Sequence, residues 1–198
     1  MLNRGRWANA NVFIHIHEGA KWVVKDFRDC VAPIRITVGR FLIAREVRAL
    51  ERLGGIGGVP TDAFRVDPYA LAYRFVPGIE MAVAGPERAT PAYFHELEAL
   101  VLAVHNRGLA HLDLRSGGNI MVTDAGRPFV VDFQSHIRVG FLPGFLKRML
   151  VNIDFGGVYK HWADRHPESL GAERSALLAK ARRWRKLWLW RPYFWMKR

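Results

Sequence analysis

Acidic residues are scarce in this chain. It has 18 Asp and Glu against 30 Lys and Arg, which gives a formal net charge of +12 and a pI of about 10.5. An imbalance this large implies an anionic partner: nucleic acid, acidic lipid or a phosphorylated substrate. Cysteine is rarer still. The single Cys30 excludes an internal disulfide and fits a reducing compartment. No apolar run approaches the ~20 residues that span a bilayer, and Met1-Leu2-Asn3-Arg4 opens no signal-peptide core. A cytoplasmic chain is therefore expected. Internal repeats and low-complexity linkers are missing. The histidines lack metal spacing: His15 and His17 alternate along one strand face with no third ligand, and His95, His105, His136, His161 and His166 form no ligand pattern. The most glycine-dense stretch, Gly54 to Pro60, follows a helix instead of a strand, so it reads as a turn and not as a phosphate cradle.

What is present is half apolar, enough for a full core in one domain or two small lobes. Val12 to His17 reads as a strand, Glu18-Gly19-Ala20 as its turn, and Lys21 to Phe27 as the return. The segment from Arg40 to Leu53 has helical periodicity through Phe41, Ala44, Val47 and Leu50. Tyr69 to Val76 is an apolar strand closed by Pro77-Gly78. A second periodic helix spans about Pro91 to Asn106 and ends at Arg107-Gly108. After it, Ile120-Met121-Val122 and Phe129-Val130-Val131 form a hairpin about Asp124-Ala125-Gly126.

The most informative residues lie in this last region: His111-Leu112-Asp113, then Asn119, then Val131-Asp132-Phe133-Gln134. Two carboxylates and an amide, each beside an apolar run, supply hard oxygen ligands of the kind magnesium takes together with phosphates. Phosphoryl transfer needs little beyond positioning and charge neutralisation.

The pattern resembles the catalytic loop and metal-binding strand of the protein-kinase-like superfamily. His111-Leu112-Asp113-Leu114 is similar to H-R-D-L, with Leu for Arg. Asp132-Phe133-Gln134 is similar to D-F-G, with Gln for Gly, and Val23-Val24-Lys25 to V-A-I-K. The resemblance implies an α+β, protein-kinase-like two-lobed fold with a shortened, mostly helical C-terminal lobe, since 66 residues follow Asp132. It divides the chain into an N-lobe (1–77), a reduced C-lobe (78–181) and a basic aromatic tail (182–198). It also implies an ATP- and Mg2+-dependent kinase. Asp113 then orients or deprotonates the acceptor hydroxyl, and Arg115 stabilises the transferred phosphoryl group. Asn119 and Asp132 hold the metal. Lys25 and Glu46 set the phosphates, Glu80 reaches a ribose hydroxyl, and Tyr69–Gly78 is the hinge at the adenine. His111 orients the loop. Taken alone, Lys25 reads as a solvated edge-strand lysine, and Glu46 as a surface glutamate paired with Arg45 or Arg48.

This sequence departs from the superfamily pattern in four places. The Asp113–Asn119 interval is one residue longer than in H-R-D-L-x-x-x-N, which Gly117-Gly118 can absorb. Leu112 removes the anchor for a phosphorylated activation loop. Gln134 implies a more fixed metal loop. Arg4 to Ala10 stands where a Gly-rich loop is expected and carries one glycine. A second D-F-G string at Asp154 lacks a preceding strand and is expected to start a helix, with Asp154 near its N-terminus.

The short chain favours an atypical member, similar to RIO-type kinases or to the small bacterial kinases of lipopolysaccharide core sugars. Three acceptor readings stay open: a lipid-linked sugar at the inner membrane, a protein Ser/Thr as in RIO-like kinases, or none, as in a pseudokinase binding module. The tail Arg182–Arg198 alternates Arg and Lys with Trp, Tyr and Phe. It reads as an interfacial anchor on an anionic membrane, as a helix whose Trp residues cap the core, or as a nucleic-acid surface. Phe141 to Leu150 offers a second basic, apolar membrane contact, and Lys160 and Arg165 are candidate acceptor contacts.

Overall fold

A computed structural model of the chain describes residues 9–187. Strands β1 (Asn11–His17) and β2 (Ala20–Asp26) form a hairpin whose two loop residues, Glu18 and Gly19, both have positive φ (49° and 74°). This primed turn matches the right-handed twist of the strands it joins. It pairs His17 with Ala20 and Val12 with Lys25. Strands β3 (Phe64–Asp67) and β4 (Ala70–Arg74) complete an antiparallel sheet of order β1-β2-β4-β3. A short helix α1 (Ala32–Ile34) passes through a π-helical turn, Arg35–Gly39, into α2 (Arg40–Arg52), which lies against the sheet. Gly39 is required here by close approach, because a Cβ would stand 2.9 Å from the Phe27 side chain.

The helix expected over Pro91–Asn106 is α3, with those bounds. Its start is explained locally: Thr90 accepts the Tyr93 amide at 3.3 Å, and Pro91 follows at a position whose N–H would be unpaired anyway. Its end is a glycine cap, Gly108, at φ 77°, whose amide returns to His105 O. The second sheet has the order β5 (Gly78–Glu80), β7 (Ile120–Thr123), β8 (Pro128–Val130). A two-stranded ladder joins β6 (Leu109–Ala110) to β9 (Ile137–Arg138). Helices α4 (Gly144–Arg165) and α5 (Ala172–Leu187) pack on each other, and α4 also packs on α3. Phe94 of α3 stacks on the fully buried Trp162 of α4 at 5.4 Å between ring centroids. Trp162 satisfies its indole N–H on Ser169. Glu98 of α3 receives Arg174 of α5 in a two-pronged bond at 2.9 and 2.8 Å.

No helix among the described residues is long and apolar enough to cross a membrane. Residues 1–8, with most of the segment standing in for a Gly-rich loop, lie outside the described residues. So do residues 188–198, the greater part of the basic aromatic tail.

Candidate active site

Strand alternation decides where Lys25 goes. Val12, Lys25 and Leu71 are cross-strand partners, so they share the sheet face turned toward α2. Lys25 is 5 % exposed and Glu46, on α2, is fully buried. The Lys25 ammonium lies 2.7 Å from Glu46 Oε1 and 3.0 Å from Asp132 Oδ1. Lys25 is therefore no solvated edge residue, and Glu46 does not pair with Arg45 or Arg48. Burial works against the ammonium, but the carboxylates of Asp132 and Glu46 outweigh it and hold its pKa above the ordinary lysine range. Burial raises the Glu46 carboxyl, and the adjacent Lys25 opposes that rise. Tyr73, buried beside this group, is pushed up to about 12 chiefly by burial.

Asp132 follows the end of β8 with φ 65° and ψ 67°. A non-glycine residue held in this left-handed region marks a conformation that its surroundings impose. Here it turns the carboxylate back to Lys25 while Phe133 enters the core, fully buried. Leu112 also has positive φ, 69°, at the start of the catalytic-loop candidate. In that loop the Asn119 amide donates at 2.9 Å both to Asp113 Oδ2 and to the Asp113 carbonyl. The extra residue between them is taken up at Gly117, φ 80°, so the longer interval still brings Asn119 to Asp113. The loop is tied to the metal-strand candidate twice. Val131 donates its amide to Asn119 O at 3.0 Å, and the His111 Nε2–H donates to Val131 O at 2.9 Å. The other ring nitrogen, His111 Nδ1, accepts the Asp113 amide at 3.3 Å, which makes the imidazole the neutral Nε2–H tautomer.

Glu80 lies in β5, and its carboxylate stands over the loop. A Cβ on Gly118 would sit 3.6 Å from Glu80 Oε2. Arg115 is half-buried, and its carbonyl accepts Lys160 Nζ at 3.3 Å. Arg165 is committed elsewhere: it donates to the carbonyls of Ala84, Met81 and His161 and so ties α4 to the segment after β5.

One expectation is corrected. Asp154 does not start a helix. It lies near the middle of α4, 1 % exposed, and anchors the catalytic loop. Its oxygens accept the His111 amide at 2.7 Å, the Leu112 amide at 2.7 Å and His105 Nε2 at 2.9 Å. A buried carboxylate with three donors satisfies the condition under which burying a charge is tolerable. The missed signal was spacing. Leu150, Asp154, Val158 and Trp162 repeat every four residues, so Asp154 belongs to the buried stripe of a helix. His161 in the same helix donates to Leu114 O, and burial, then the neighbouring Lys160 and Arg165, push its pKa down to about 4.

The donor set suits a hard cation shared with phosphate. Asp132 offers a carboxylate. With its NH2 spent on Asp113, Asn119 has its amide oxygen left as the acceptor. Among the described residues no three His, Cys, Asp or Glu side chains are grouped as metal ligands; an ion held by Asp132 and Asn119 would complete its shell with phosphate and water oxygens.

Solved structures give the fold its place. Two crystal structures of the Rio2 kinase from Chaetomium thermophilum superpose on the chain, each with a TM-score of 0.64 at 16 % identity. One is an ADP/Mg2+-phosphoaspartate complex, matching 94 % of this chain and 70 % of that one; the other matches 92 % and 71 %. The fold is protein-kinase-like. No protein-family model and no curated protein matches the chain.

Proposed function

We propose that the chain is an ATP- and Mg2+-dependent phosphotransferase that moves the γ-phosphoryl group to a hydroxyl. The observation that carries this reading is the Glu46–Lys25–Asp132 chain, which runs from a fully buried carboxylate to a half-buried one, set beside an Asp113–Asn119 pair on a protein-kinase-like fold. We take residues 1–77 and 78–181 as its two lobes. Lys25, fixed by Glu46, presents a compact positive charge to the nucleotide phosphates. Asp132 and Asn119 supply the oxygen ligands for magnesium, which when bound neutralises phosphate charge. Asp113 accepts the hydroxyl proton as the acceptor oxygen bonds to the γ-phosphorus and the bond to the β–γ bridging oxygen breaks, leaving ADP. Arg115, two residues on, is assigned to the charge on the transferred group. Glu80, over Gly118, is assigned to the ribose or to the acceptor side of the loop.

For the acceptor we favour a sugar carried on a lipid, as in the lipopolysaccharide core, at the cytoplasmic membrane face. The excess of basic residues and the aromatic, arginine-rich tail support that choice. A protein serine or threonine is the second reading, favoured by the Rio2 likeness. The test is phosphoryl transfer from labelled ATP to lipid-linked core sugar, against a mixed protein fraction, with wild type beside Asp113→Asn. Label in the sugar fraction that is lost in the variant supports the first reading, and label in protein alone supports the second. No transfer to either, together with no nucleotide binding, means a catalytically inactive binding module.

A further inference from the structure

More than half of the exposed large apolar side chains among the described residues fall in two stretches, 30–45 and 135–153. Neither stretch contains Asp or Glu. The first carries Arg35, Arg40 and Arg45, the second Arg138, Lys147 and Arg148. Ile36, Val38 and Phe41 stand out of the first, with Phe41 60 % exposed. Ile137, Phe141 and Phe145 stand out of the second, and both phenylalanines are 73 % exposed. The stretches meet: Arg45 lies over the Phe41 ring at 5.8 Å and donates to His136 O, one residue before Ile137. The second stretch is rooted beside the site. Val139 and Leu150 form a small apolar cluster with Ala110, and Leu112, the residue before Asp113, packs on it with Leu142 and Met149.

We propose that these two stretches form a docking face for an anionic lipid bilayer, with Phe41, Phe141 and Phe145 entering the acyl boundary and the exposed Arg40, Arg138, Lys147 and Arg148 at the headgroups. The absence of acidic groups selects an anionic occupant and sets two copies of the chain against each other by like charge. The aliphatic Ile36, Val38 and Ile137 select hydrocarbon over nucleobases, which stack on aromatic rings. Through Leu112, the docked face sits under the catalytic-loop candidate. The inference deepens the lipid-linked acceptor proposed above and rests on it for the purpose of docking. Its test needs no turnover.

The test uses the full chain with Cys30→Ser and Phe145→Cys, labelled with an environment-sensitive dye and mixed with phosphatidylglycerol or phosphatidylcholine vesicles. A blue shift is expected with the anionic vesicles and not with the neutral ones. In unlabelled full chain, Phe141→Ser/Phe145→Ser is expected to lower binding to the anionic vesicles roughly tenfold or more, with nucleotide binding unchanged. A Lys147→Glu/Arg148→Glu variant, altered only at exposed positions, is expected to weaken binding likewise. Vesicle binding without a dye shift assigns the contact to the basic tail and overturns the proposal. A shift that appears with protein concentration alone, or with a single-stranded oligonucleotide and not with vesicles, also overturns it. Asp113→Asn keeps vesicle binding if docking is right, so docking and phosphotransfer fail separately.

Discussion

Lys25 and Asp154 show what a single buried charge does here. Lys25 holds two carboxylates, one of them fully buried, so deleting its charge leaves Glu46 uncompensated in the core. Lys25→Met is expected to cost about 3 kcal/mol in urea unfolding, and adding Glu46→Leu is expected to recover a large part of it. Additive losses in the double variant would contradict the pairing. His161 supplies a pH dependence. Its folded pKa is near 4, below the ordinary 6.5, because burial and then Lys160 and Arg165 disfavour the imidazolium. As pH falls, the unfolded chain binds this proton first. The stabilisation is therefore full above about pH 6.5 and is lost between 6.5 and 4, by about 3 kcal/mol in total. Denaturation midpoints across that window should fall more steeply for wild type than for His161→Gln. Equal slopes would place the titration on another group.

Helix α4 is the element that builds the catalytic-loop candidate, although it supplies none of the proposed ligands. Asp154 fixes the loop through the His111 and Leu112 amides, and Gly157 lets the helix touch it, since a Cβ there would lie 3.1 Å from Leu114 C and Arg115 N. Asp154→Asn turns an NH2 toward donors and is expected to destabilise the chain by about 3 kcal/mol. Gly157→Ala is expected to shift the loop backbone and lower turnover roughly tenfold while nucleotide affinity holds. A parallel loss of nucleotide affinity would contradict that division. The sequence was legible where local rules govern. The period of α3 and its Arg107-Gly108 stop read directly, as did the β1–β2 turn, whereas the Thr90 cap emerges only in the structure. The lack of a strand before its D-F-G string points Asp154 to a helix start, whereas the four-residue spacing of Leu150, Asp154, Val158 and Trp162 belongs to the buried stripe of a longer helix. Its partners His105, His111 and Leu112 are more than 40 residues away in sequence. No local pattern carries that information.

At the scale of the molecule, the order of Lys25, Glu46, Asp113, Asn119 and Asp132 along the chain anticipated a fold that places the first two with the last and the middle two together. The α+β, protein-kinase-like architecture was therefore readable from motif order, whereas the docking face was only partly so. Phe141–Leu150 read as basic and apolar, but the contact of Arg45 with His136 that joins it to Phe41 depends on tertiary folding. The charge of +12 should also make any binding to anionic vesicles fall with added salt, as screening shortens the reach of the basic groups. Salt-independent binding would point to apolar insertion alone. The central claim is the nucleotide site, and calorimetry of ATP with and without magnesium, on wild type beside Asp132→Ala, tests it most directly. Binding that requires magnesium and weakens roughly tenfold or more in the variant is the predicted result. Equal affinity in both proteins, or no binding in either, would contradict the account.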